Sequence, residues 1–439
     1  MPNFLTVFIC KTLSSEGRLL NDMFIKPEEY KDRIERLKTE LQQHSYEGFF
    51  ATDPTYVFWL TGFVHVPTER PFGILIPVEG ECAVVLPRLE RWHWEERIPW
   101  INDISDYLDY PGPSPREDFN SYDVVSNMIK SRIIRGKIAV DSLGMAYHAP
   151  KEMQFFKTPY GHGPGLRDHL TRTLDRVQLV DKSEILTEWM LVLSETEQKL
   201  VREANDWGFK VHEIAYELIA PGKTPFEICF QATLEAYSRL IKPLGPEYEP
   251  LNIGEGYWPP YIVFSAGPPT AYPHGGSLGD RHRKIRLGDN CISASDPNIG
   301  GYGPEIERTF FVGKPNSKQI KYWNIMRKAQ NTAFQIVRPG NTCADVCNAA
   351  YRVFIKEGVW DAVLHHCGHG KPWKVHVPPY LDPGDKTELR SGMLFSLEPG
   401  LYFRGFGGFR FSDTFIVTPD GAEWVTNQLL TIEENTTCR

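Results

Sequence analysis

No stretch of this 439-residue chain approaches the roughly 18 to 20 consecutive apolar residues that span a bilayer, so an integral helical membrane protein is excluded. The apolar run from Phe4 to Cys10 is short even for a signal-peptide core and no basic residue precedes it, so a cytoplasmic location is expected. Basic residues form no one-sided block and the formal net charge is -8, which excludes a phosphate-tracking nucleic-acid surface. Cysteine is sparse: eight residues are scattered without the dense spacing of a disulfide scaffold, and they are expected to be reduced thiols. Asn435-Thr-Thr437 is then a chance sequon. Internal repeats and low-complexity tracts are absent as well. What remains is ordinary globular composition, 41% hydrophobic and 24% charged, in a chain long enough for two cores.

Apolar periodicity supplies the elements. Tyr30, Ile34, Leu37 and Leu41 recur at helical spacing between Pro27 and His44, with Pro27 suited to the first turn. Gly48 to Asp53 is a short apolar run closed by a turn, and Phe72–Ile76 with Cys82–Leu86 reads as a hairpin. Ile138–Val140 adds another strand, and Pro111-Gly-Pro-Ser-Pro115 is a surface loop. Ser194 followed three residues later by Glu197 is a capping box that opens a long helical pattern. Helices are predicted near 195–218, 225–241, 318–337 and 343–357, and strands near 261–265, 291–295 and 307–312. Helix, strand, hairpin and strand in the first part suggest a compact α/β domain, and the change of pattern places the boundary near 190, giving domains at 1–190 and 191–439.

Four C-terminal segments carry the chemistry: Gly300-Gly-Tyr-Gly-Pro-Glu-Ile-Glu-Arg-Thr-Phe310, His365-His-Cys-Gly-His-Gly370, Gly392-Met-Leu-Phe-Ser-Leu-Glu-Pro-Gly400 and Gly407-Gly-Phe-Arg-Phe-Ser-Asp413. In that order they resemble the sites of the pita-bread superfamily of creatinases, prolidases and methionine aminopeptidases. The resemblance implies the α+β fold class, an N-terminal creatinase-like α/β domain followed by a C-terminal pita-bread domain. Metal-dependent members use two Asp, one His and two Glu to clasp two divalent ions, a donor set suited to Mn, Co, Fe or Zn. On this chain the pattern gives His369 and Glu398 intact and Glu305 in place of an Asp. Ala294, eleven residues before Glu305, and Ser412, just before Asp413, stand where the remaining two carboxylates belong. Only a shifted loop bringing in Asp296 or Asp413 would repair the loss.

Those departures resemble the metal-free creatinase branch, and this resemblance sets the leading expectation: no cofactor, and a hydrolase cleaving a C–N bond of a small guanidino, amidine or cyclic-amidine carboxylate. Glu307, which falls at that branch's carboxylate, and Glu398 would grip the cationic end of the substrate through charge-assisted hydrogen bonds. Pairing of these two glutamates with Arg308, Arg404 or Arg410 is the structural alternative. His274, in Ala271-Tyr-Pro-His274, falls near the catalytic histidine and would move the proton. Glu305, His369 and His376 would complete the substrate site, His376 keeping its seven-residue separation from His369 although Val377 follows it where many peptidases have Glu. Arg70, in Thr68-Glu-Arg-Pro-Phe72, resembles an arginine that reaches a neighbouring subunit's site to hold the substrate carboxylate, which implies a homodimer; a solvated surface arginine is the alternative. Trp92-His-Trp94 would wall the same pocket or fill a core.

Two other functions stay open. One is an Xaa-Pro dipeptidase or aminopeptidase with an altered metal site, holding Mn, Co or Zn on Glu305, His369 and Glu398. The other is a non-catalytic pita-bread module that binds a peptide or protein. For the leading reading the partners expected are a small-molecule substrate and a second copy of the chain, with no nucleic acid and no membrane. A zinc site built from His365, His366, Cys367 and His369 is rejected, because neighbours in an extended segment point opposite ways.

Overall fold

Helix starts follow local chemistry. In Pro27–Gln43 a proline occupies the first turn, where its missing N–H leaves nothing unpaired, and Tyr30, Ile34, Leu37 and Leu41 bury one face. Ser194 accepts from the Glu197 N–H while the Glu197 carboxylate accepts from the Ser194 N–H, the reciprocal cap that opens Glu195–Leu218. Thr224, Asn316 and Thr342 cap Pro225–Ala236, Ser317–Phe334 and Cys343–Lys356 in the same way. The structure is a computed structural model that describes residues 24–64, 70–108, 121–141, 165–241, 251–252, 256–257, 262–274, 282–371, 376–426 and 428–437. The run Phe4 to Cys10, the 111–115 loop and Thr68-Glu69 lie outside the described residues.

Contacts group the chain into two units. The first comprises Ile25–Met190. Its six-stranded sheet runs Asp103–Tyr107, Ala83–Pro87, Gly73–Pro77, Gly48–Ala51, Gly136–Val140 and Val177–Asp181. Gly73–Pro77 and Ala83–Pro87 form the hairpin that the turn between them predicts. Phe50, Leu75, Val85 and Ile138 pack one face of the sheet against Val125 and Ile129 of Ser121–Lys130. Asp141 is buried, yet its carboxylate accepts from the Thr52 and Asp53 N–H groups and from the Thr52 hydroxyl, so its charge is compensated. The Trp92-His-Trp94 cluster divides: Trp94 is core, against Phe63 and Phe72, whereas Trp92 is 83% exposed.

The second unit comprises Leu191–Asn252 with Tyr257–Arg439. One sheet runs Thr436–Thr437, Ile306–Val312, Asn290–Ser295 and Val263–Ala266; a second runs Val377–Tyr380, His369–Gly370, Leu394–Leu397, Asp413–Val417 and Ala422–Trp424. Ser317–Phe334 and Cys343–Lys356 lay Met326, Ala329, Cys347 and Phe354 against Phe395 and Phe415. Glu195–Leu218 and Pro225–Ala236 pack Val211, Ile214 and Ile228 against Phe264, Cys291 and Phe310. Full burial of each such phenylalanine contributes roughly 1.5 to 3 kcal/mol. Helices and largely antiparallel sheets together give the α+β class that the motif resemblance implies. Glu307 and Ser412 exchange backbone hydrogen bonds at 3.1 and 3.2 Å, which stitches the edges of the two sheets together. The motif residues collect at that seam.

Candidate functional site

Three of the four motif segments end their strands at the seam. Glu305 immediately precedes Ile306–Val312, Glu307 lies within it, and Glu398 follows Leu394–Leu397. His369 sits in the short strand His369–Gly370, and its approach to the sheet depends on Gly368, which has φ 155°. A Cβ at Gly368 would stand 2.1 Å from the Ser396 carbonyl oxygen, so only glycine lets the histidine in. The Glu398 N–H donates to the Cys367 carbonyl at 2.7 Å and fixes the two motifs to each other.

A cavity of about 390 Å³ opens beside them, lined among the described residues by His274, Asp296, Glu305, Glu307, Glu398 and Arg410 together with Ala294 and His376. That volume lies toward the small end of the roughly 300 to 1,000 Å³ usual for small-molecule sites. His369 is fully buried; its Nε2 lies 3.2 Å from Glu305 Oε2 and 3.3 Å from Glu398 Oε1. Its Nδ1 sits 3.0 Å from the Gly370 carbonyl, and the tautomer that donates there leaves an Nε2 lone pair toward the carboxylates. His376 stacks beside it, ring centroids 4.2 Å apart.

Electrostatics tie these groups together. Burial opposes a charge on His369, but Glu305 and then Glu398 outweigh it and raise its pKa to about 10. Burial likewise pushes Glu305 up, and His369 and Lys371 more than reverse this, leaving its carboxyl below the usual range. Glu307 and Glu398 are pushed upward by burial, Glu307 against the opposing pull of Arg410 and Glu398 with added repulsion from Glu305. Burial lowers His376 to about 4.

The donor set fits a divalent cation. Glu305 Oε2 and His369 Nε2 are buried with no hydrogen-bond partner even though they approach each other, and Glu398 adds a second carboxylate to the same imidazole. Ligand atoms of Glu305, His369 and His376 form one cluster and those of Glu305, Glu307 and Glu398 another, each within a span that one ion can bridge. Unsatisfied buried carboxylates are costly unless a cation joins them.

The matched residues agree. A family model described as metallopeptidase family M24 matches residues 199–419, and one described as creatinase/prolidase N-terminal domain matches 33–154. This chain belongs to metallopeptidase family M24. It is 29% identical over 363 residues to a probable dipeptidase PepE of Mycobacterium tuberculosis, covering 82% of this chain and 84% of that protein. It is 23% identical to an Xaa-Pro dipeptidase of Lactobacillus delbrueckii subsp. lactis, covering 88% and 95%. Among solved structures, a recombinant prolidase from Thermococcus sibiricus superposes with a TM-score of 0.72 at 26% identity, covering 91% of this chain and 97% of that one.

These findings correct two expectations. The creatinase-like, metal-independent hydrolase acting on a guanidino or amidine substrate is overturned, because the relatives bear dipeptidase and Xaa-Pro dipeptidase names. The physical reason is visible in the cavity. Arg410 Nη2 lies 2.5 Å from Glu307 Oε1, so the carboxylate expected to grip a cationic substrate is already paired within the protein. The expectation of no cofactor is overturned by membership of a metallopeptidase family and by the two donor clusters, Glu305 with His369 and His376 and Glu305 with Glu307 and Glu398.

Other expected residues fall as follows. His274 is exposed and lines the cavity. Arg70 is half-buried in the first unit, three residues before Gly73–Pro77. Asp413 is turned away from ligand duty: Arg308 and Arg327 hold it at 2.6 and 3.2 Å. Asp296 lines the cavity but pairs with Lys371 at 2.9 Å. Two residues escaped the motif reading, Lys371 and Tyr402. Lys371 follows His369-Gly370 directly, a proximity that marked it in retrospect. The Tyr402 hydroxyl meets His365 Nε2 at 2.8 Å and Arg410 Nη1 at 3.4 Å, a contact that nothing in its local sequence signals.

Proposed function

We propose that this protein is a metal-assisted peptidase that hydrolyses dipeptides, with Xaa-Pro dipeptides the first class to try. The observation that carries the reading is the buried approach of Glu305 and Glu398 to His369, with Glu305 Oε2 and His369 Nε2 left without hydrogen-bond partners. In it Glu305, His369 and Glu398 hold the ion, which when bound supplies a Lewis acid and lowers the pKa of water. Everything else is done by side chains. A free dipeptide brings a carboxylate into a cavity where the Arg410 guanidinium keeps Nε without a hydrogen-bond partner, a donor suited to that group. Glu307 fixes the plane of that guanidinium through its 2.5 Å contact. His274, exposed at the cavity wall, can hand a proton to the departing amine nitrogen as the peptide C–N bond breaks. The names of the dipeptidases to which the chain is similar support the substrate class.

The test is turnover of Xaa-Pro and non-proline dipeptides by purified protein before and after chelation. Activity lost on chelation and restored by Mn, Co or Zn is expected. Full turnover in the presence of chelator would reject the metal-assisted mechanism, and no turnover of any dipeptide with each metal would reject the activity.

A further inference from the structure

The motif pattern that this chain resembles uses four carboxylates and one imidazole for two ions, and here Ala294 and Ser412 stand at two of the carboxylate positions. The structure shows what surrounds the gaps. Ala294 is the cross-strand partner of Glu307, and Ser412 exchanges both backbone hydrogen bonds with the same residue. Both missing carboxylates therefore border one side chain, and that side chain is ion-paired with Arg410, whose own side chain is 11% exposed.

Neither gap can be repaired from nearby. Ser293 and Ser295, on either side of Ala294, bind His212 at 2.9 and 2.8 Å on the far face of the strand, which pins the register. Asp413, beside Ser412, accepts from Arg308, Thr426, Arg327 and Gln330. Ser412 is fully buried and offers a neutral hydroxyl at the position where the pattern has a carboxylate.

Charge leads to the same point. Asp296, Glu305, Glu307 and Glu398 all line the cavity, but Lys371 pairs with Asp296 and Arg410 with Glu307. With His369 neutral as a ligand, the excess is the two carboxylates of Glu305 and Glu398, which one dication neutralises. A second would be uncompensated and would lie beside the fixed positive charge of Arg410, where repulsion is poorly screened.

We infer that this chain binds one divalent ion, on Glu305, His369 and Glu398, and that the Glu307–Arg410 pair stands in for the second ion of the two-ion pattern. The inference rests on the metal-assisted reading above. Arg410 then carries, as a permanent cation, the charge that a second metal would have brought to the cavity.

The full chain, stripped with chelator, is titrated with Mn2+ by calorimetry, and bound metal is counted by elemental analysis after gel filtration. One Mn2+ per chain with an uncoupled EPR signal is expected. Two per chain, or an exchange-coupled signal, would overturn the inference while leaving the peptidase reading standing; no binding of Mn2+, Co2+ or Zn2+ would overturn both. The variant Ala294→Asp, Glu307→Thr, Arg410→Met, Ser412→Glu, which restores both carboxylates and removes the fixed cation, is expected to rise to two ions per chain. If it has the circular dichroism spectrum of the parent and still binds one, the missing carboxylates do not set the count and the inference fails. The parent titration decides the matter alone should the variant not fold.

Discussion

Two buried clusters lie side by side at the sheet seam, and adjacent residues feed them in opposite ways. Arg308 and Asp413 form one. The arginine donates to Asp413, to the carbonyls of Glu307, Ser412 and Gln428, and lies over the Phe411 ring, while both oxygens of Asp413 are taken. Glu305, His369 and Glu398 form the other, with Glu307 and Arg410 against it. There Glu305 Oε2, Glu307 Oε2, His369 Nε2 and Arg410 Nε are buried without hydrogen-bond partners. Both clusters bury charge, so burial alone does not separate structure from chemistry. Completeness does: a network that satisfies every atom holds the sheets together, and one left open by its own protein is completed by something else.

Breaking the open cluster has the largest expected effect. His369→Ala should abolish Mn2+ binding and dipeptide turnover, by more than the roughly 100-fold that losing a mere supporting partner of a metal ligand costs. Its urea midpoint should stay close to the parent's. Breaking the closed cluster should do the reverse. Arg308→Met removes the shorter of the two Asp413 ion pairs and leaves the Glu307, Ser412 and Gln428 carbonyls without their donor, and should cost about 3 to 5 kcal/mol in urea unfolding, with metal bound per folded chain unchanged. An Arg308→Met protein as stable as the parent would show that the closed cluster is not structural.

Arg410 lies between the two behaviours, held by Glu307 yet open at Nε. Arg410→Met should raise KM for a free dipeptide about tenfold or more, the worth of a hydrogen bond to a charged group, and leave KM for the C-terminally amidated dipeptide nearly unchanged. Equal effects on both substrates would remove Arg410 from carboxylate recognition. The smallest effect concerns His212, closed off between Ser293 and Ser295, whose pKa burial lowers from 6.5 to about 3, with help from Arg308. The unfolded chain takes up a proton near 6.5 and the folded one only near 3, so stability present above pH 6.5 is lost as the pH falls through that window. His212→Gln should flatten the pH dependence of the melting temperature there, and a profile identical to the parent's would contradict the assignment.

Much of the fold was legible because it is local. The apolar spacing of Tyr30, Ile34, Leu37 and Leu41, and the Ser194 and Glu197 cap, act within one or two helical turns. The site was legible as an ordered set: Glu305, His369 and Glu398 do converge, and the vacant positions Ala294 and Ser412 do border the cavity residue Glu307. What escaped was pairing across the seam. Glu307 meets Arg410 over 103 residues of chain, and no periodicity reports which of Arg308, Arg404 and Arg410 will face it. That one contact changes the chemistry, because a free Glu307 would clamp a cationic substrate and a paired one cannot. Asp296 and Lys371 repeat the lesson at 2.9 Å.

Anomalous diffraction from a crystal soaked in Mn2+ tests the central claim most directly. A peak within bonding distance of Glu305, His369 and Glu398, with none at Asp413, is the predicted result. A peak at the Asp413 cluster, or none beside His369, would contradict the account.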